Sequence, residues 1–175
     1  MGSSAYLDEI VLALGSDPEN PNTDPINRDE VLEWMSTTDI ESMGALFYLI
    51  TDSRHYPRIQ PPLEFNHYHS FVKAYYEKCL IENPDGEWSD SRYTAGWSFV
   101  NWFKGIWDDP NIPKLVLADY KEWLSKLYLG GNDKLRNCIV TAILEHLFDN
   151  QEIKKYFLDW KKDKRLNAAF SEATE

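Results

Sequence analysis

The sequence predicts an all-α fold, formed as a single domain of about seven or eight helices. Apolar residues recur three and four positions apart in most segments, which is the period of an amphipathic helix. No segment of strand length alternates apolar and polar residues, and prolines are concentrated between the periodic segments. The length of 175 residues suits one domain, and 7 Trp, 10 Tyr and 8 Phe can fill its core. We expect an orthogonal bundle or a short stack of helix hairpins.

The chain is predicted to open with an N-terminal segment over residues 1–26, ahead of a helical domain over residues 27–175. Residues 5–14 have helical spacing, whereas residues 16–25 contain three prolines and no apolar residue, which indicates a loop or a tether. A helix is expected from Asn27, since acidic residues in a first turn interact favourably with the helix dipole. The next helix should run from Asp39 to Ile50.

Two longer helices are predicted in the middle of the chain. The first is expected to begin at Pro62, because proline suits a first helical turn, and to end at a turn over residues 83–86. Its buried stripe comprises Phe65, Tyr68, Val72, Tyr75 or Tyr76, and Cys79. The second, residues 91–107, is apolar around most of its circumference and should be the central helix. Its narrow polar stripe comprises Ser98, Asn101, Gly105 and Asp108.

The C-terminal third predicts four further helices. The first follows Pro113 and ends before Gly130, and the second is capped by Asn132 or Asp133. A third helix is expected to begin with a capping box formed by Asp149 and Glu152 and to continue through Trp160. The last spans residues 164–173. The core faces of these helices are predicted at Leu117, Tyr120, Leu124, Leu127, Leu135, Ile139, Ala142 or Ile143, Leu147, Ile153, Phe157, Trp160, Leu166, Ala169 and Phe170.

The charge of the chain is strongly negative and unevenly distributed. The formal net charge is −11; residues 1–110 contain 19 acidic and 7 basic side chains, and residues 111–175 contain 10 acidic and 11 basic ones. Nucleic acid is therefore disfavoured as a partner, because phosphate binding requires clustered Lys and Arg. A basic protein partner is favoured instead.

No pattern in the sequence predicts catalysis, so we expect a protein that is not an enzyme and has no cofactor and no metal. His67 and His69 are two positions apart, which places them on different sides of a helix. Cys79 and Cys138 each fall within helical apolar periodicity and are expected to be reduced core residues. Gly130-Gly131-Asn132-Asp133 is expected to be a turn between helices rather than an anion site.

The dense aromatic residues allow two interpretations. Trp97, Trp102 and Trp107 are five positions apart, so they cannot form one stacked platform and are mostly expected in the core. Alternatively, some of Tyr93, Trp97, Trp88 and Trp107 lie near the surface as anchors of an interface. Acidic residues flank them on both sides. The predicted partner-binding residues are Asp85, Glu87, Trp88, Asp90, Tyr93, Asp108 and Asp109, with Asp29, Glu30 and Glu33 from the acidic helix.

The apolar runs are far shorter than the roughly 20 residues that span a bilayer, and no secretion signal is found. We expect a cytoplasmic protein without a membrane partner.

The C-terminal forty residues resemble a known family. Residues 135–139 (LRNCI), 142–148 (AILEHLF) and 156–160 (YFLDW) are similar to an uncharacterised family of short helical bacterial proteins, which resemble immunity proteins encoded beside polymorphic toxins. The matching residues are mostly packing residues, and no catalytic residue is carried over. The resemblance implies a protein that neutralises a nuclease or ADP-ribosyltransferase toxin domain by tight binding. The competing interpretation is a helical adaptor that binds a basic peptide or regulatory protein.

Overall fold

The computed structural model describes residues 3–175, with side chains from Tyr6 onward, and the predicted all-α class is confirmed. Internal contacts divide the chain into two compact units, Met1–Ser91 and Arg92–Glu175, here called the N-terminal and the C-terminal unit. Within the described residues the strands are two residues long: β1, Ile26–Asn27, pairs in parallel with β2, Ile59–Gln60.

The part of the N-terminal unit that the structure describes, residues 3–91, contains four α-helices. They are α1 (Ser3–Leu14), α2 (Arg28–Trp34), α3 (Ile40–Thr51) and α4 (Phe65–Glu82), with a short 3-10 helix at Tyr56–Arg58. Helix α3 packs against both α1 and α4. The N-terminal segment is therefore part of this unit and is not a free tether, although residues 16–25 form an irregular loop as predicted.

The C-terminal unit contains five helices among the described residues. They are α5 (Arg92–Asp108), α6 (Lys114–Gly130), α7, α8 (Gln151–Tyr156) and α9 (Lys164–Glu172). Helix α7 has three consecutive parts: Asp133–Cys138, the π-helical Ile139–Leu144 and Glu145–Leu147. Helix α5 packs against α7, and α9 packs against the π-helical part of α7.

The predicted core faces of the C-terminal unit are confirmed. Every residue named above for them, from Leu117 to Phe170, is buried. Both cysteines are free and buried, as predicted. Helix starts also follow the expected chemistry, since an Asn or Asp side chain accepts a backbone N–H in the first turn of several helices. These N-caps are Asn27, Asp39, Asn132, Asn150 and Asp163.

Two predicted helix starts are wrong. Helix α4 begins at Phe65 and not at Pro62, because Leu63 is buried in an extended segment and the N–H of Glu64 donates to Nδ1 of His67 in a capping box. Asp149 does not form the predicted box with Glu152. Asn150 caps α8 instead, and its Oδ1 accepts the N–H groups of Glu152 and Ile153.

Two other predicted helices differ in detail. The helix expected to run through Trp160 ends at Tyr156 and is followed by a 3-10 helix, Leu158–Lys162, which still buries Phe157 and Trp160. The exposed stripe of α5 is wider than predicted. In addition to Asn101, Gly105 and Asp108 it contains Tyr93 and Trp97, so the core interpretation of Trp97 is wrong and the surface alternative holds for this residue.

Candidate functional site

The segment between α4 and residue 91 is held in one conformation by an acidic side chain of α3. Glu41 Oε2 accepts a 2.8 Å hydrogen bond from the N–H of Trp88, and Glu41 Oε1 accepts a 2.8 Å hydrogen bond from the hydroxyl of Ser89. Hydrogen bonds to a carboxylate are stronger than those between neutral groups. Glu41 therefore fixes the backbone that presents Glu87 and Trp88, and we call residues 83–91 the Trp88 loop.

Two glycines allow the Trp88 loop to approach α3. A Cβ atom at Gly44 would lie 2.2 Å from the carbonyl oxygen of Trp88, and a Cβ at Gly86 would lie 1.7 Å from Oε1 of Glu41. At Gly44 the overlap is with backbone atoms, so the close approach requires glycine there. At Gly86 the overlap is with the end of the Glu41 side chain, which would have to move away from Trp88 and Ser89. The loop begins at Asn83, whose left-handed φ of 47° ends α4. The predicted end of this helix at Asn83 is thus confirmed, and residues 83–85 continue as irregular backbone.

The other end of the Trp88 loop is fixed by α4. The hydroxyl of Tyr75 donates to Oδ2 of Asp90 at 2.8 Å and accepts the N–H of Asp90 at 3.0 Å. Tyr75 is buried, and this burial raises its pKa above the ordinary value of a tyrosine. Asp90 is therefore engaged in the fold, whereas Asp85 and Glu87 are exposed.

The Trp88 loop, α1 and α3 together form an open groove with apolar and acidic walls. We call it the acidic groove; its volume is about 640 Å³. Leu7, Val11, Leu12 and Trp88 supply apolar surface, and Asp8, Glu41 and Glu87 supply carboxylates. Among the described residues, no basic side chain lines the groove. Leu12 is 77% exposed although it is a large apolar residue on a helix.

The wall formed by α1 is held by contacts with α2. The indole N–H of Trp34 donates to Oε2 of Glu9 at 2.8 Å, and the hydroxyl of Tyr6 donates to Oε1 of Glu33 at 3.3 Å. Asp29 and Glu30 are exposed on the same short helix. The predicted acidic helix is therefore adjacent to α1, but its carboxylates do not line the acidic groove.

The remaining predicted partner-binding residues do not form one cluster. Tyr93, Asp108 and Asp109 belong to the C-terminal unit. Tyr93 and Asp108 are at opposite ends of α5, and a rise of 1.5 Å per residue separates them by about 22 Å.

The structure brings together Glu87 and Trp88 with Asp8, Leu12 and Glu41, three residues that sequence analysis missed. These five residues come from α1, α3 and the Trp88 loop, which are far apart in the chain. A pattern among neighbouring residues therefore cannot predict that they meet.

Four side chains that were considered for chemistry in the sequence analysis, Cys79, Cys138, His67 and His69, take part in packing or capping. Burial raises the pKa of the Cys79 thiol to about 12 and that of the Cys138 thiol to about 11, which disfavours the nucleophilic thiolate. Nδ1 of His67 accepts the N–H of Glu64, and the ring of His69 stacks on Phe65. Within residues 3–175 no group of three or more His, Cys, Asp and Glu side chains is arranged to hold a metal ion.

Comparisons with known proteins do not assign the chain to a class. No protein-family model matches the sequence, and neither the curated proteins nor the solved structures include a match. Over the described range, no helix is both long enough and apolar enough to cross a membrane.

Proposed function

We propose that the protein is a non-catalytic immunity protein that binds a basic bacterial toxin domain, of the nuclease or ADP-ribosyltransferase class, and neutralises it by occlusion. The observation that carries this proposal is the acidic groove, which combines apolar anchors with carboxylates. The expectation from the sequence that the C-terminal forty residues resemble a family similar to immunity proteins agrees with it.

The charge of the N-terminal unit supports a basic partner. Residues 1–91 contain 17 acidic and 5 basic side chains, a net charge of −12, whereas residues 92–175 have a net charge of +1. A concentrated field of this kind accelerates encounter with a domain of opposite charge. We expect the groove to be the centre of the contact and the exposed acids of α2 to contribute to steering.

The fixed conformation of the Trp88 loop supports tight binding. Association is weakened when a loop must be ordered in the complex, and a preformed loop avoids that cost. Glu41, Gly44 and the pair Tyr75 and Asp90 order this loop in the free protein. Trp88 can therefore act as an anchor whose loss shortens the lifetime of the complex.

The test is co-expression with the toxin domain encoded by the neighbouring gene, followed by binding kinetics at two ionic strengths. Glu87→Lys should slow association about tenfold at low salt and reduce its salt dependence, because rim charges act mainly on the association rate. Glu172→Lys changes the net charge equally but lies in the C-terminal unit, so it should have little effect. Equal protection and equal kinetics for both variants would contradict the groove assignment.

Trp88→Ala tests the anchor separately. It should increase the dissociation rate at least tenfold. Leu115→Ala removes an exposed apolar side chain from α6 and is the matched control. Circular dichroism must first show that both variants retain the helical content of the parent. If the complex of Trp88→Ala dissociates at the same rate as that of the parent, Trp88 is not the anchor.

A second candidate function, a helical adaptor that binds a basic peptide, is favoured by a different groove along α4. It has a volume of about 650 Å³, and its apolar lining includes Met35, Met43, Phe71 and Ile81. An amphipathic helix fits a groove of this type. Peptide binding that is lost in Ile81→Asp, together with no protection of cells from the neighbouring toxin, would favour the adaptor.

A further inference from the structure

The C-terminal unit exposes aromatic residues on a face that the proposed function does not use. Trp97 is 53% exposed and Tyr93 is 39% exposed, and they are four residues apart on α5. A cavity of about 380 Å³ beside Trp97 is lined by Val100, Asn101, Lys104, His146 and Asp149. We call these residues together the Trp97 face. Exposed tryptophan beside a cavity is typical of an interface anchor.

The two helices beneath the Trp97 face are in close contact. A Cβ at Gly96 would lie 3.0 Å from Cβ of Ala142, so α5 and α7 cross at close range. The thiol of Cys138 donates to the carbonyl oxygen of Arg92 at 3.6 Å, and the side-chain amide of Asn137 donates to the hydroxyl of Tyr93 at 2.7 Å. These contacts hold the two helices that supply the face.

The charges of the Trp97 face are of both signs. Lys104 and Asp149 both line the cavity, yet within the described part of the chain they form no ion pair with each other or with another residue. A two-fold axis that passes between these two residues places Lys104 of each copy opposite Asp149 of the other. The face is therefore self-complementary in charge.

The distribution of net charge indicates which partner binds the Trp97 face. A basic partner is attracted to the N-terminal unit with its net charge of −12, and two N-terminal units repel each other. The C-terminal unit has a net charge of +1, so two C-terminal units do not repel each other strongly. A second copy of this chain thus fits the Trp97 face better than a strongly basic protein does.

We propose that the Trp97 face is the interface of a two-fold symmetric homodimer. Trp97 of each copy enters the cavity beside Val100 and His146 of the other, and Lys104 of each copy pairs with Asp149 of the other. This proposal does not depend on the proposed function, because it concerns a separate surface and a different partner.

The first test is sedimentation velocity of the full chain between about 1 and about 200 μM. The parent should change from monomer to dimer in this range, and Trp97→Ala should raise the dimer dissociation constant at least tenfold, as expected for an interface anchor. Leu115→Ala, which truncates a residue that is 71% exposed on α6, should leave dimerisation unchanged. A parent that is monomeric at every concentration, or a Trp97→Ala variant that dimerises like the parent, overturns the proposal.

The second test is a charge exchange. Lys104→Asp and Asp149→Lys should each weaken the dimer, because each places like charges opposite one another, whereas the double variant should restore it. Asp149 is exposed and Lys104 is half-buried, so circular dichroism checks that the variants fold. A double variant no stronger than the single variants overturns the proposed pairing. A monomeric parent whose toxin binding is weakened by Trp97→Ala would assign the face to the toxin and also overturn the dimer.

Discussion

Asn150 controls the start of α8 through one side-chain oxygen. Its Oδ1 accepts the N–H groups of Glu152 and Ile153, while the neighbouring Asp149 is exposed and does not cap the helix. Two adjacent residues with similar side chains thus have different structural roles.

Asn150→Ala should lower the free energy of unfolding by about 1 kcal/mol, because two N–H groups of the first turn lose their acceptor. Asp149→Ala is the matched control and, at a protein concentration of about 1 μM where the proposed dimer is dissociated, should change it by less than about 0.5 kcal/mol. Urea denaturation measures both. A larger loss of stability in Asp149→Ala than in Asn150→Ala would indicate that Asp149 caps the helix.

At the scale of elements, the fit between α3 and the Trp88 loop depends on Gly44. Gly44→Ala gains helix propensity but places a methyl group 2.2 Å from the carbonyl oxygen of Trp88. We expect a net destabilisation of about 1–3 kcal/mol, since a backbone atom must move to relieve the overlap.

Gly105→Ala is the control for Gly44→Ala. Gly105 lies in α5, and a Cβ added there would have no atom within 4 Å apart from the neighbouring backbone of its own helix, so only the propensity gain applies. This variant should be more stable than the parent by about 0.5–1 kcal/mol. Thermal denaturation compares the two. Stabilisation by both substitutions would mean that the Trp88 loop is not packed on α3.

His55 joins elements through Arg58. It is 2% exposed, and Nη1 of Arg58 donates to its Nδ1 at 2.7 Å, while Nη2 of Arg58 donates to the carbonyl oxygen of Ala13 in α1. Because arginine is always a donor, this contact requires the neutral imidazole. Burial lowers the pKa of His55 below its ordinary value of 6.5, and the positive charges of Arg58 and Arg54 lower it further, against an opposing effect of Asp52.

The lowered pKa of His55 predicts a loss of stability in mild acid. Below pH 6.5 the unfolded chain binds a proton at this residue while the folded chain does not, so the free energy of unfolding falls as the pH decreases toward the folded pKa. His55→Gln keeps an acceptor and removes the titration. Its stability should therefore depend less on pH between about 5 and 7 than that of the parent. Identical pH profiles from urea titrations would contradict this role of His55.

At the scale of the whole molecule, the dominant feature is the concentration of negative charge in the N-terminal unit. A net charge of −12 within residues 1–91 destabilises the compact state through self-repulsion. Exposed ion pairs such as Arg54 with Asp52 and Lys78 with Glu82 offset little of it.

Raising the ionic strength from about 0.01 M to about 0.15 M should increase the melting temperature by roughly 2–4 °C, because the Debye length falls from about 30 Å to about 8 Å. A double variant, Glu30→Lys with Asp85→Lys, should show a smaller increase, since it carries less excess charge. Differential scanning calorimetry measures both. A melting temperature that falls with salt would indicate that attractive pairs dominate.

The sequence by itself determined the all-α class, most helix positions and the core faces of the C-terminal unit. These features depend on local periodicity, turn chemistry and capping, which are determined by residues close together in the sequence. It also predicted Glu87 and Trp88 as candidate binding residues from their position after a turn.

Only the tertiary structure decided which residues share a surface. Glu41 and Leu12 come from segments far from the Trp88 loop in the chain, and their roles follow from how α1 and α3 pack beside it. The exposure of Trp97 was likewise undetermined, because α5 is apolar around most of its circumference and periodicity alone does not select the side that remains uncovered. Packing between segments that are distant in the chain decides which side of α5 is exposed. The residues near Trp97 in the sequence do not contain this information.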